Sequence, residues 1–354
     1  MPRPSHSLAR KVALFSCTLL ALACQKERRP VYYPTPVATT TAPGAVPAPG
    51  PPAAAAPTAA PAPAPAATAA PTTPSVQLPS VPSLPVAFDP INSVDINFLR
   101  GRAVAVLGEL VANLPAPQRT RVQNIPLITD STVGEVNAFA ACTRDGKTAM
   151  AITDGLLDIQ AHLAQARAID EVFGLRKVDE YIRFIAQNQR PKAPIAQPPA
   201  GMFDPAQTAD SRKVTRQHQV LDEQIAFVLG HELAHHYLGH LPCTAGGGLS
   251  GAEVARVLSD VVPIFNQGNE VSADTAGINN TLTTGARRQG YHFTEGGALL
   301  TMQFFAGLDQ LSPIDILFGF ERSHPPPAFR TPWIQQAANV WRSTGGQGLP
   351  VIGF

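Results

Sequence analysis

The chain has 354 residues and a formal net charge of +1. Only 15% of its residues are charged, which gives no electrostatic footprint for nucleic acid or for strongly acidic partners. Its 36 prolines crowd toward the N-terminal side, and the remainder of the chain is long enough to bury one full core.

Residues 1–24 carry the marks of an export signal. Arg3, Arg10 and Lys11 precede the apolar run Val12–Ala23, which is too short to remain as a spanning helix. The run ends in Ala21-Leu22-Ala23-Cys24, which resembles the bacterial lipobox, with Ala21 where leucine is usual. That resemblance implies cleavage before Cys24 and a lipid on its thiol. Gln25 follows in place of the aspartate that retains lipoproteins at the inner membrane. The expectation is an exported lipoprotein on the periplasmic side of the envelope, anchored in the outer membrane; ordinary secretion with an incidental cysteine is the alternative. Residues 25–87 are low in complexity and rich in Pro, Ala and Thr. Such a segment buries too little apolar surface to offset its ordering entropy, and reads as an extended tether or a plain disordered tail.

A folded domain is expected over residues 88–354. Ile96 to Asn113 reads as a helix closed by Pro115, and Val122 to Thr129 as a strand. Val136–Ala140 and Thr148–Thr153 flank Asp145-Gly146, a hairpin signal. Helices are expected over Gly155–Phe173, over a second piece to about Ile185, and from about Ala209 to Leu241, with the Pro-rich residues 189–206 as a surface loop. After a break at Pro242 and Gly246–Gly248, helices are expected over Ala252–Phe265, Glu270–Asn279, Thr294–Leu308 and Pro332–Trp341. The sum is one mostly α domain with a small β-sheet (α+β), its active-site helix lying beside a hairpin edge.

Within the long helix stands His231-Glu232-Leu233-Ala234-His235. Histidines four apart share a helix face and can hold one metal ion, while the glutamate turns about 100° aside, out of the metal's shell but within reach of its water. A chance HExxH arises on the order of once in a hundred chains of this length, so the neighbourhood matters. Leu221–Tyr237 has no proline and is apolar all round, as a buried helix should be. A third ligand is offered by Glu270-Val271-Ser272-Ala273-Asp274, whose two carboxylates lie four apart; one can bind the metal while the other orients a histidine. His236 and His240 point roughly 140° and 180° from His231 on an ideal helix, which assigns them packing or capping roles. His218 and His292 have no partner at ligand spacing.

HELAH, EVSAD and Ser323-His324-Pro325-Pro326-Pro327-Ala328-Phe329-Arg330, in this order, resemble the zinc metallopeptidase family that includes HtpX, BepA and the CAAX prenyl endopeptidase. Val136–Leu157 is similar to the family's "NAF…GLL" segment, so the match covers roughly residues 130–335. The family's Pro-Gly-Gly hairpin tip is replaced by Cys142-Thr143-Arg144-Asp145-Gly146, and Thr275 stands where a basic residue is common. The resemblance implies a zincin-like domain with one Zn2+ on His231, His235 and Glu270, and Glu232 as general base. It places Asp274 behind a ligand and His324 beside the site, as oxyanion stabiliser or cover of the open position. Arg330 would anchor that loop, with Asp274 as candidate partner. Asn137, Ala138 and Phe139 would form the edge that binds substrate. Its architecture puts Cys142 near Cys243, so that the two are either bridged or free thiols in an oxidising compartment.

The implied reaction is peptide hydrolysis by a metalloendopeptidase, on unfolded or misassembled envelope proteins that add a strand to the edge. A chaperone or assembly factor using the same groove for binding is the rival. A structural lipoprotein with a degenerate site is weaker, because Glu232 is intact. Oligomeric state is open.

Overall fold

The first helix, α1 (Ile96–Asn113), begins at Asp95, whose carboxylate accepts the N–H groups of Asn97 and Phe98, and stops ahead of Pro115. It opens a computed structural model that describes residues 89–142, 146–241, 243, 267–311, 318–319 and 324–349, within the contact unit Pro79–Phe354. The export segment with Cys24, the tether, the hairpin tip 143–145, the expected helix 252–265 and Ser323 lie outside the described residues.

After α1 comes α2 (Ala116–Val122), a short helix that the sequence reading did not include and that takes in Val122, the expected first residue of a strand. Pro117 sits in its first turn, where a missing N–H costs nothing. The strand itself is shorter than expected, β1 (Leu127–Asp130). The hairpin forms as expected: β2 (Ala138–Cys142) runs antiparallel to β3 (Thr148–Thr153), and β1 joins the far side of β3 in parallel. The order β1-β3-β2 makes β3 central, with all six of its residues buried, and leaves β2 at an edge.

Next come α3 (Asp154–Phe173), α4 (Lys177–Asn188), the single turn α5 (Pro205–Thr208) and α6 (Ser211–Tyr237). The stretch 189–206 is not all surface: Gln189 is buried, its amide donating to Arg190 and Ala193 carbonyls and accepting from Ala196 N–H. Then α7 (Gln267–Arg287), α8 (Gly296–Leu311) and α9 (Pro327–Ser343) complete the described elements. The last begins five residues before the expected Pro332. Pro327 takes the N-terminal position, and Pro332 lies inside, where the helix forgoes one bond.

α6 is the axis of the core. It packs on α1, α3, α7 and α8 and on the sheet, which is why Val220–Leu221, Ile225–Leu229 and Leu233–Ala234 are buried on all sides. The arrangement is mostly helical with a three-stranded sheet, an α+β zincin-like domain. No helix of the described residues is long and apolar enough to cross a membrane.

Candidate metal centre

α6 and α7 touch backbone to backbone where Gly230 meets Gly277. A Cβ on Gly277 would come within 2.9 Å of the His231 nitrogen, so glycine is required for this approach. The contact lays Glu270 and Asp274 of α7 alongside His231 and His235 of α6. The two histidines aim their Nε2 atoms at each other across 3.1 Å. Glu270 faces both, with Oε2 3.4 Å from His231 Nε2 and Oε1 3.4 Å from His235 Nε2. His324 enters from the loop before α9, with Nε2 3.3 Å from Glu232 Oε1 and 3.9 Å from Glu270 Oε2. The ligand atoms of His231, His235, Glu270 and His324 all lie within 4.8 Å of one another, and all four residues are buried.

These residues fit a zinc ion. The spacings of 3.1, 3.4 and 3.4 Å, the last two to the separate oxygens of Glu270, are close to the ~3.3 Å that separates ligand atoms on arms of ~2.0–2.1 Å. Glu232 Oε1 and Glu270 Oε2 are buried and accept no hydrogen bond. Asp274 is paired with Arg330, whereas Glu232 and Glu270 face imidazoles, and a divalent cation would balance their charge.

A model of peptidase family M48 matches residues 101–337. The chain belongs to peptidase family M48. No curated protein and no solved structure matches it. M48 peptidases are zinc-dependent metallopeptidases, which agrees with the donor set of this M48 chain.

Each ligand has its own backing. His231 Nδ1 donates to Asp274 Oδ1 at 2.9 Å. Arg330 grips the same carboxylate with both arms, Nε to Oδ2 at 2.9 Å and Nη2 to Oδ1 at 2.6 Å, and both residues are 1% exposed. Asp274 is the partner that the sequence offered for Arg330, and the two are in contact. Burial raises the Asp274 carboxyl, but Arg330 overrides it and holds the group well below the usual carboxylate range. Burial and the Arg330 charge oppose a proton on His231, yet Asp274 and Glu270 outweigh them and hold it at about 9. Burial, then the charge of His231, pushes His235 down to about 3. The two facing imidazoles are thus shifted in opposite directions, His231 toward the charged form and His235 toward the neutral one. Burial works to raise the Glu270 carboxyl, and the His231 imidazole 3.4 Å away, with His324 and His235, holds it at about 2.

The general-base candidate has a partner that no side-chain motif announces. The backbone N–H of Ala140, on β2, donates to Glu232 Oε2 at 2.8 Å. Burial works to raise the Glu232 carboxyl, and His324 with the other imidazoles brings it below its ordinary value.

The expected substrate edge is placed differently in detail. Asn137, Ala138 and Phe139 are all buried. Asn137 turns its backbone inward, bonding Thr153 through both N–H and C=O at 2.9 Å, so by alternation the outward groups belong to Ala138 and Ala140. Gly319 lies so close to the Glu135 and Asn137 side chains that a Cβ there would overlap them. Cys142, at the end of β2, is bonded to Cys243 just past α6, with Cα atoms 5.4 Å apart.

His236 donates its Nε2 proton to the Ala149 carbonyl at 2.9 Å, pinning α6 to β3. His240 corrects the helical-wheel reading. It lies beyond the end of α6, and its Nδ1 sits 3.1 Å from His235 Nδ1. His218 pairs with Asp89, and His292 donates to the Gly285 carbonyl.

Proposed function

We propose that this chain is a zinc metalloendopeptidase that cuts unfolded or misassembled polypeptides of the cell envelope, held at the outer membrane by a lipid on Cys24. The observation that carries the catalytic part is Glu232. It is buried beside three imidazoles and a carboxylate at zinc-binding distances, with one oxygen accepting no hydrogen bond. A purely structural zinc site has no use for such a base.

His231, His235 and Glu270 would hold the ion. Zinc bound there supplies a Lewis acid and lowers the pKa of water toward about 7. Glu232 takes the proton of the attacking water and later returns it to the leaving amine. His324, whose Nε2 lies 3.3 Å from Glu232 Oε1, would donate to the oxygen of the scissile carbonyl. The outward backbone groups of Ala138 and the carbonyl of Ala140, whose N–H is held by Glu232, are those against which an extended peptide would pair, which favours unfolded chains over any one sequence. The envelope address rests on the N-terminal sequence pattern.

Cleavage of casein by the full chain tests this, with zinc content measured for wild type and Glu232→Gln. The expected result is one zinc in each and a rate loss of about 10²–10⁴ for the variant. Zinc in both and cleavage by neither would move the reading to a chaperone that uses the groove for binding. The burial of Asn137–Phe139 and the closeness of His324 to the base favour that second reading.

A further inference from the structure

α6 ends in a turn that folds the chain back over its last carbonyls. Gly239 adopts φ +76, its N–H bonds the His236 carbonyl at 3.2 Å, and His240 N–H bonds the His235 carbonyl at 3.0 Å. This pair of bonds is a Schellman closure, and a residue beyond it no longer follows the helical wheel. The return sets the His240 ring edge-on to that of His235, with centroids 5.1 Å apart and the two Nδ1 atoms 3.1 Å apart. On its other side, His240 Nε2 lies 3.1 Å from Ser272 Oγ. Ser272 Oγ in turn donates to the Asn269 carbonyl at 2.9 Å.

One set of proton positions satisfies all three contacts with a neutral His240. The hydroxyl proton of Ser272 is committed to Asn269, so Ser272 Oγ accepts from His240 Nε2–H. His240 Nδ1 is then an acceptor and takes the proton on His235 Nδ1. That leaves the His235 Nε2 lone pair free, and Nε2 is the atom facing His231 and Glu270. Ser272 stands two residues after Glu270 on α7, so the relay also ties the second ligand of α6 to the turn that carries the third.

We infer that His240 is a positioning residue, which with Ser272 fixes His235 in the tautomer and ring orientation that turn its Nε2 toward zinc. The inference rests on the zinc-peptidase reading. It also makes the two histidine arms unequal. His231 is backed by a carboxylate, a charge-assisted bond, while His235 is backed by a neutral ring.

The test uses the full chain as wild type, His240→Ala, His240→Asn and Ser272→Ala. Zinc release into excess chelator is timed, and the visible bands of the cobalt-substituted forms are recorded. His240→Ala is expected to release zinc about 10–100-fold faster and to shift the cobalt bands. Asparagine can place an amide oxygen where Nδ1 stood, so His240→Asn should return release to within about fivefold of wild type. Ser272→Ala should show a smaller acceleration. Thermal unfolding of the metal-free proteins separates this from misfolding; if His240→Ala fails to fold, the other two variants decide. Release rates and cobalt spectra identical to wild type, or an asparagine no better than alanine, would overturn the inference. A wild type that takes up no zinc would instead overturn the peptidase reading.

Discussion

Arg330→Met should reveal how much the site depends on one buried ion pair. Arg330 and Asp274 are each 1% exposed and joined by two bonds of 2.9 and 2.6 Å, so removing the guanidinium strands a carboxylate in the interior. Breaking such a pair from one side costs about 3–5 kcal/mol. For a domain of this size that is a fall in Tm of about 10 °C. Adding Asp274→Leu removes the stranded charge and should recover most of the loss, although His231 then loses its orienting carboxylate.

The pH dependence carries a sign that can be checked. In the wild type the Asp274 carboxyl is held below its unfolded value, so its contribution is present above about pH 4 and is lost as pH falls through the folded value. In Arg330→Met the main cause of that depression is gone, and burial raises the group. Acid then neutralises a charge that was destabilising, so the gap between variant and wild type should narrow from about pH 7 to about pH 4. Urea unfolding of the zinc-free proteins at both pH values measures it. A deficit below about 1 kcal/mol at neutral pH, or one that widens in acid, would refute the reasoning.

Gly277→Ala should push α7 off His231, lower zinc affinity and cost about 1–3 kcal/mol in thermal or urea unfolding. The Cys142–Cys243 bond closes a loop with a sequence separation of 101, so replacing both by serine should cost about 2–5 kcal/mol; reductant should destabilise the wild type by a like amount and leave the double variant unchanged. Lys213 is fully buried, with Nζ 2.5 Å from Asn92 Oδ1, and burial, partly opposed by Asp89, lowers its pKa to about 8. Since the unfolded chain keeps that proton to about pH 10.4, stability should rise by up to about 3 kcal/mol between pH ~8 and ~10.4, and Lys213→Met should abolish the rise in unfolding measured across that range.

The side chains of the centre were legible because metal ligation imposes spacing on sequence. His231, Glu232 and His235 follow from one helical turn, and Glu270 with Asp274 from another. The hairpin was legible for a similar reason, since Asp145-Gly146 marks its turn between two β-compatible runs. What escaped was set by backbone or by chain reversal. The Ala140 amide that holds Glu232 is common to every residue type except proline, so no letter in the sequence could announce it. His240 was misplaced because ideal helix angles were carried past Gly239, the one residue that signals their end. The short helix α2 was hidden in a run whose Val122 suits a strand, while Pro117 fits a first helical turn equally well. Pro332 misled in the opposite sense, reading as a beginning where it is an interior residue tolerated by a well-packed helix.

The meeting of Gly230 and Gly277 has a mechanical meaning beyond allowing the helices to approach. Side chains between helices act as compliant spacers that can change rotamer and let one element slide on the other. Here the spacer is absent, and peptide planes rest on peptide planes at the level of His231. The spacing between the two helices that carry His231, His235 and Glu270 is therefore set at this level by backbone atoms, which no change of rotamer can alter.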